Sequence, residues 1–310
     1  MKKKLFAGLL AALMLLPMLS ACGSNNASEK GSEGKKQEAT YVWKCALNST
    51  EGDNCYDQAV LFAKKIQELT GGQVQVDLYG GASLGSTSEV LEGMSGGVAD
   101  IICEALGVLA PFTELGNIDA MPYMYSGADH FMAVWSSDLG DEIKEAAGEA
   151  SGFKLMGGAY RGPRVVTATK KMETIDDFKG FKLRVPNLEV YLKTWQWLNT
   201  SPTPLAMNEV YTALQQNTVE GQENPFADSL NYSFDEVCKY WIKTNHVYSC
   251  NLFMMDRTYF NSLPEEIQNA VIEAAEYAGQ EISAVQKQRD QEAEQKVLDE
   301  GCEVIEVDTK

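Results

Sequence analysis

The sequence has few residues of the kinds that build metal sites and nucleic-acid interfaces. Only two histidines, His130 and His246, occur in 310 residues, and no pair among the seven cysteines has zinc-ribbon spacing. Acidic side chains outnumber basic ones by 44 to 26, which gives a net charge of −18. A surplus of negative charge disfavours binding to nucleic acid and to anionic membrane surfaces. We therefore expect no metal, no cofactor and no nucleic-acid partner.

Long apolar runs are also scarce, since the only one stands at the start of the chain. Three lysines at positions 2–4 precede an apolar stretch at 5–19, which is typical of a secretory signal. The stretch is short for a helix that spans a hydrocarbon core of ~30 Å. Leu19-Ser20-Ala21-Cys22 resembles the lipobox of bacterial lipoproteins. That resemblance implies a signal peptide at 1–21 and a lipid anchor on Cys22; an ordinary signal peptide with a chance cysteine is the alternative.

The segment that follows has no large apolar side chain. Residues 22–39 consist of small, polar and charged residues, so they cannot bury enough surface to fold. We expect a flexible tether that holds the folded part near a membrane on its extracytoplasmic side, in the periplasm or at the cell surface. In an exported protein the remaining cysteines could form disulfides or stay as free thiols, and the sequence leaves this open. They are Cys45, Cys55, Cys103, Cys238, Cys250 and Cys302.

Beyond the tether, the hydrophobic pattern alternates between strands and helices. Apolar residues at strand spacing in 41–47, 74–79 and 99–105 enclose helical patterns in 56–69 and 89–94. This order predicts an α/β fold with a largely parallel sheet. Further helices are predicted at 129–147, 188–198, 208–217 and 264–298, and further strands at 153–160, 165–169, 181–185, 202–204 and 239–256.

One arginine stands where ligands bind in α/β proteins. Arg184 lies at the carboxyl end of a short predicted strand that Pro186 stops, because proline has no N–H for a sheet ladder. In open α/β sheets the crevice beyond the carboxyl ends of the strands is the usual ligand site. A guanidinium group there is suited to binding a planar carboxylate.

The region around Arg184 resembles the solute-binding proteins of tripartite ATP-independent periplasmic (TRAP) transporters, the DctP family. The matching pieces are Lys179-Gly-Phe-Lys-Leu-Arg-Val-Pro186, Pro202-Thr-Pro204, Glu209-Val-Tyr-Thr-Ala-Leu-Gln215 and Val219-Glu-Gly-Gln-Glu-Asn-Pro225. Upstream, Ala82-Ser-Leu-Gly85 and Asp119-Ala-Met-Pro-Tyr123 also match. The resemblance extends from Tyr41 to the end of the chain.

The resemblance implies a two-lobe, periplasmic-binding-protein-like (type II) α/β fold with a ligand cleft between the lobes and a long C-terminal helix. It places lobe I at 40–161 plus about 250–289, and lobe II at 162–249 plus about 290–310. Members of the family bind organic acids and deliver them to a permease with small and large membrane subunits. The resemblance therefore implies a non-catalytic receptor.

The resemblance also assigns candidate ligand contacts. Arg184 is expected to form the main bidentate pair with the ligand carboxylate, and Arg164 to be a second ligand-facing arginine. Arg161 competes with Arg164 for that place, with a surface ion pair as its alternative role. The remaining candidate contacts are Asn48, Glu104, Asn187, Met207 and Asn224.

Two of these positions bear on the ligand. A carboxylate at Glu104 would repel an anionic ligand unless it accepts hydrogen bonds from hydroxyl groups, which favours a sugar acid such as a uronate. The sialic-acid branch of the family carries an aromatic ring where Met207 stands and an arginine where Gly107 stands, which argues against sialic acid. A C4-dicarboxylate or another simple carboxylate is the alternative within transport.

Two readings from other classes stay open. The protein could be a ligand receptor that feeds a signalling partner. Gly93-Met-Ser-Gly-Gly97 also fits the G-x-S-x-G pattern of a hydrolase with Ser95 as its nucleophile. That elbow requires a strand before the serine and a helix after it, whereas here the pattern predicts the reverse order.

Overall fold

The computed structural model describes residues 39–307. The predicted signal peptide, Cys22 and the tether up to residue 38 lie outside the described residues. Within 39–307, no helix combines the length and the apolar character needed to cross a membrane. The six cysteines in this part of the chain are buried, free thiols.

The elements alternate much as the hydrophobic pattern predicts. The strands are β1 (Tyr41–Ala46), β2 (Val74–Tyr79), β3 (Ile101–Ala105), β4 (Phe153–Pro163), β5 (Val165–Ala168), β6 (Lys182–Val185), β7 (Ser201–Pro204), β8 (Gly221–Asn224), β9 (Tyr240–Lys243), β10 (Tyr248–Asp256) and β11 (Glu303–Glu306). The α-helices are α1 (Asn54–Leu69), α2 (Thr87–Gly93), α3 (Ala128–Trp135), α4 (Asp138–Ser151), α5 (Glu189–Trp197), α6 (Met207–Gln215), α7 (Phe226–Asn231), α8 (Arg257–Ser262) and α9 (Glu265–Asp299).

The first sheet has the strand order β2-β1-β3-β10-β4. β1 pairs in parallel with β2 and β3, as the alternating pattern predicts, whereas β10 runs antiparallel to β3 and β4. One face packs on α1 and α9 around Trp43, Phe62 and Phe253, and the last two rings stack with centroids 4.4 Å apart. The other face buries Phe131 of α3 and Leu252 in a separate cluster.

The second sheet has the order β11-β9-β5-β8-β6-β7. β6 pairs in parallel with β7 and β8, and β5 runs antiparallel to β8 and β9. Its core includes Phe178, Phe181 and Trp195, the last from α5. The two sheets make the fold a mixed α/β structure of two halves, as expected. The residue limits assigned to the two lobes stay a prediction.

The chain crosses between the sheets at short connections. β4 of the first sheet ends at Pro163, and β5 of the second sheet begins at Val165. The single strand predicted for residues 239–256 is wrong, because β9 and β10 belong to different sheets. Asn245 lies between them with φ of +44°, a left-handed conformation that asparagine tolerates better than most residues. The hydrophobic pattern continues through this point, and for this reason the pattern alone predicts one strand where the chain passes from one sheet to the other.

The single helix predicted for residues 129–147 is also wrong, because two helices, α3 and α4, occupy this segment. The hydroxyl groups of Ser136 and Ser137 donate to the carbonyl oxygens of Met132 and Val134 at 2.7 Å. Serine side chains that bond to nearby backbone compete with helix continuation. The next helix begins at Asp138.

The long helix α9 connects the two halves. Ala274 and Ala278 pack in the core of the first sheet, whereas Ala293 and Val297 pack with Val165 near the second. The contact with β4 depends on glycine. A Cβ atom at position 279 would lie 2.5 Å from the carbonyl oxygen of Gly158. This close approach sets how deeply α9 rests on the sheet.

We predict that Gly279→Ala destabilises the protein. The added methyl group should cost ~1–3 kcal/mol by overpacking, less a gain of up to ~1 kcal/mol from helix propensity. A net loss of this size should lower Tm by a few degrees, at ~2–4 °C per kcal/mol. Thermal unfolding followed by circular dichroism measures the change.

Gly96→Ala is the matched control. A Cβ atom at position 96 meets no atom within 4 Å, so its effect should stay within about 0.5 kcal/mol. An unchanged Tm for Gly279→Ala would contradict the packing argument.

Candidate ligand-binding cleft

A cavity of about 440 Å³ lies where residues from both sheets meet. β3 and the loop after β1 contribute one wall, and β6, β8 and α6 contribute the other. All of the candidate contacts line this same cavity, although their roles toward a ligand stay predictions. They are Asn48, Glu104, Arg164, Arg184, Asn187, Met207 and Asn224.

Arg184 lies on an inner strand of the second sheet, next to the edge strand β7. It lies in β6, and its side chain is only 4% exposed. Its Nε and Nη2 donate to the carbonyl oxygen of Leu205 at 3.0 and 2.7 Å. Among the described residues no carboxylate lies within 4.0 Å of its guanidinium group. Burial, with a smaller contribution from the charge of Arg164, lowers the pKa of Arg184 to about 10, although Glu223 opposes this effect.

Arg164, in contrast, already has a carboxylate partner. Its Nε and Nη2 donate to the two carboxylate oxygens of Glu223 at 2.5 and 2.8 Å, a bidentate pair of the strong kind. His246 Nε2 lies 3.1 Å from the same carboxylate. Burial alone would raise the pKa of Glu223, but Arg164 and His246 lower it to about 2. The guanidinium group also lies over the ring of Tyr191, 5.2 Å from its centroid.

Arg161 pairs with a buried acid. The surface ion pair suggested for Arg161 is wrong, because Arg161 lies in β4 and its Nε donates to Asp228 Oδ2 at 2.7 Å. Asp228 is fully buried. Burial alone would lower the pKa of Arg161, but the charges of Asp228, Glu104 and Asp53 raise it well above its usual value. These acids therefore surround one cation.

Asp53 also lines the cavity, and the sequence-based prediction missed it. It caps α1, with its Oδ1 accepting from the backbone N–H of Cys55 at 2.8 Å. Its Oδ2 is buried and has no hydrogen-bond partner within residues 39–307. Burial, and then the charge of Asp228, raise the pKa of Asp53 to about 8, against the opposing effect of Arg161. An aspartate just before a helical pattern predicts an N-cap. Nothing in the neighbouring sequence indicates that Asp53 also lines the cavity.

The amide candidates are oriented by neighbouring side chains. Asn224 donates from Nδ2 to Gln222 Oε1 at 2.7 Å, and its Nδ2 lies 3.9 Å from Met207 Sδ. Asn48 donates from Nδ2 to the hydroxyl oxygen of Thr87. Each therefore keeps its amide oxygen available for a donor in the cavity.

Glu104 ends β3 on the opposite wall from Arg184. It forms no ion pair with another described residue, and its Oε1 accepts only from the backbone N–H of Ala105, at 3.1 Å. Near it, a Cβ atom at Gly107 would meet Ala120 at 3.4 Å and Leu188 at 3.7 Å. The wall beside Glu104 thus leaves little room for a large side chain at position 107.

The hydrolase alternative lacks its geometry. Ser95 is exposed in the short 3₁₀ helix Met94–Gly96 and does not line the cavity. His130 Nδ1 lies 3.3 Å from Ser126 Oγ, and His246 is bound to Glu223. Within residues 39–307, neither histidine makes a hydrogen bond with Ser95.

The chain matches proteins of one family along most of its length. The family model described as bacterial extracellular solute-binding protein, family 7 (DctP) matches residues 46–310. A solute-binding protein of Roseobacter denitrificans is 35% identical over 219 residues, which are 70% of this chain and 66% of that protein. Its crystal structure with bound L-galactonate superposes with a TM-score of 0.83, covering 88% of this chain and 90% of that one.

Two further relatives have different ligands in their names. A TRAP solute-binding protein of Chromohalobacter salexigens, crystallised with D-glucuronate, has 26% identity and a TM-score of 0.81, covering 86% of this chain and 88% of that one. The sialic acid-binding periplasmic protein of Vibrio cholerae is 28% identical over 83% of this chain and 79% of its own length. The chain therefore belongs to the DctP family, the extracytoplasmic solute receptors of TRAP transporters, which are not enzymes.

Proposed function

We propose that this protein captures a small sugar acid, such as a uronate, and delivers it to the small and large membrane subunits of a TRAP permease. The observation that carries the proposal is Arg184, a buried guanidinium group that lines the cavity and has no carboxylate partner in the described part of the chain. A buried charge without a partner is unfavourable, and a ligand carboxylate would supply the missing partner.

The opposite wall suits the rest of a sugar acid. Within residues 39–307, Glu104 forms no ion pair and the amide oxygen of Asn48 accepts from no donor on this wall; Asn224, on the wall of Arg184, also has an amide oxygen without a donor. Such groups accept hydrogen bonds from hydroxyl groups. We infer that the polyol part of the ligand lies between these residues, while Asn187 and Met207 border the carboxylate end. The L-galactonate and D-glucuronate bound by the two solved relatives have this division into one carboxylate and several hydroxyl groups.

Ligand binding would favour closure of the two halves. Residues after β1 and residues at the end of α7 already meet: Asn231 Nδ2 donates to Thr50 Oγ1 at 3.2 Å, and the Tyr232 hydroxyl donates to the carbonyl oxygen of Asn48 at 3.4 Å. A ligand that contacts both walls adds to these bonds only in the closed arrangement. Such a difference in affinity between two states is sufficient to shift their populations.

We further propose that Cys22 carries the lipid anchor and that the tether at 22–39 connects it to the folded part. The support is the lipobox-like sequence at the end of the apolar leader. A tether of this length would hold the receptor roughly 20–25 Å from its anchor on average. That distance would leave the receptor close to a permease in the same membrane.

We predict that Arg184→Ala nearly abolishes binding while the free protein stays folded. Loss of one partner of a buried ion pair costs ~3–5 kcal/mol, which corresponds to about two to four decades in Kd. Isothermal titration with D-glucuronate, D-galacturonate and L-galactonate measures the change, and circular dichroism checks the fold.

Lys182→Ala is the matched control, because Lys182 is an exposed cation on the same strand and does not line the cavity. Its affinity should match that of the unaltered protein. If Arg184→Ala bound an acid that the unaltered protein binds with equal affinity, the proposed ion pair would be refuted.

We also predict that Cys22→Ser moves the receptor out of the membrane fraction. Without the thiol no lipid can be attached, and once the apolar leader at 5–19 is cleaved the polar segment that follows has no other affinity for a bilayer. Fractionation of producing cells followed by immunoblotting measures this and shows from the size of the chain whether the leader is cleaved, with Ser24→Ala as the control that should stay in the membrane fraction. Retention in membranes of a Cys22→Ser variant without its leader would contradict the anchor.

A further inference from the structure

Apart from the exposed Glu209 at the cavity edge, the two walls of the cavity carry opposite net charges. On the wall of the second sheet, Glu223 neutralises Arg164, so Arg184 leaves a net charge of plus one. On the other wall, Asp228 neutralises Arg161, and Glu104 and Asp53 stand beside this pair. Even with Asp53 protonated, Glu104 leaves this wall with a net negative charge. The cavity is therefore polarised across the cleft.

Two more acids line the cavity: Asp119 stands beside the first sheet, on the negative wall, whereas Glu209 is on α6, on the same wall as Arg184. Asp119 lines the cavity and is buried, with its Oδ2 accepting from the backbone N–H of Cys250 at 2.6 Å. Glu209 stands at the cavity edge and accepts from the N–H of Ala206 at 3.1 Å. Neither forms an ion pair within 4.0 Å in the described part of the chain. No second unpaired cation lines the cavity among these residues.

We infer that the cleft selects sugar acids with one carboxylate and rejects those with two, and that Glu104 is the residue that enforces this choice. The inference rests on the proposed function and adds the charge of the ligand to it. An aldonate or a uronate can direct its carboxylate toward Arg184 and its hydroxyl groups toward Glu104. An aldarate, a sugar acid with a carboxylate at each end, must place its second carboxylate near Glu104.

The physical reason is the asymmetry between a hydroxyl group and a carboxylate at Glu104. A hydroxyl group donates a hydrogen bond to the Glu104 carboxylate, whereas a second carboxylate has no proton to donate at neutral pH. Like charges placed side by side in an interface are strongly unfavourable. Arg161 cannot relieve the repulsion, because its charge is already shared with the buried Asp228.

A series of ligands with one carbon skeleton tests the inference. Galactose, galactonate, galacturonate and galactarate carry zero, one, one and two carboxylates, and their binding to the full mature protein is compared by isothermal titration at pH 7.5. We expect galactonate or galacturonate to bind at least ~100-fold more tightly than galactarate. Galactose should bind weakly, because it offers nothing to Arg184.

Glu104→Gln tests the residue itself. Glutamine keeps the length and an acceptor oxygen but removes the charge, so the ratio of the galactarate Kd to the galactonate Kd should fall by ~10-fold or more. Glu92→Gln is the matched control, since it removes the same charge from an exposed site on α2 outside the cavity. Its Kd ratio should not change.

The possible results separate the two proposals. Both proposals would be supported if the monoacids bind tightly, galactarate binds weakly, and the ratio of the galactarate Kd to the galactonate Kd falls in Glu104→Gln. Galactarate binding within threefold of galactonate, or a ratio that Glu104→Gln leaves unchanged, would overturn the inference while the receptor function stands. Failure of every acid in the series to bind would instead overturn the proposed sugar-acid function, and the inference would fall with it.

Discussion

A buried guanidinium group that has no carboxylate partner among the residues described by the structure is the constraint around which the cleft is arranged. Arg184 extends from β6, and the carbonyl oxygen of Leu205 satisfies two of its donors. A carbonyl dipole fixes the direction of the group but does not neutralise its charge. Had evolution placed an acid there, the ligand would have to displace it. In the proposed function a ligand carboxylate supplies the missing partner, and the contacts with Leu205 hold the guanidinium group in place for it.

The three cleft arginines show that the partner, not the residue type, decides the role. Arg164 is fixed by Glu223, and Arg161 by Asp228, and both acids are fully buried. Because both ion pairs are already formed, the binding of a ligand would not have to immobilise these side chains. They also shape the potential around Arg184, since Glu223 partly offsets the burial of that charge. The paired arginines are thus structural parts of a site in which one cation remains unpaired.

Much of this arrangement could be predicted from the sequence, because it depends on local signals. A strand ended by Pro186 places Arg184 near the carboxyl end of that strand. The motifs around Arg184 indicate the same family as the fold does. The strand β8 could not be found this way, because Gln222, Glu223 and Asn224 are polar and yet buried. Their burial depends on partners such as Thr167 and Arg164, more than fifty residues away. Arg161 was misplaced for the same reason, since Asp228 stands 67 residues from it.

An acidic protein can bind an anion because the repulsion by its net charge and the attraction to a cavity arginine act over different distances. The net charge of −18 repels an anionic ligand at long range, but at physiological ionic strength the field decays over ~8 Å. On the proposed function, a ligand carboxylate inside the cavity would meet Arg184 in surroundings that water and salt screen poorly. The acidic surface would give no electrostatic steering, so association should depend on unaided diffusion into the cleft. Affinity would then come from slow release, which the proposed ion pair and the proposed closure of the two halves would both favour.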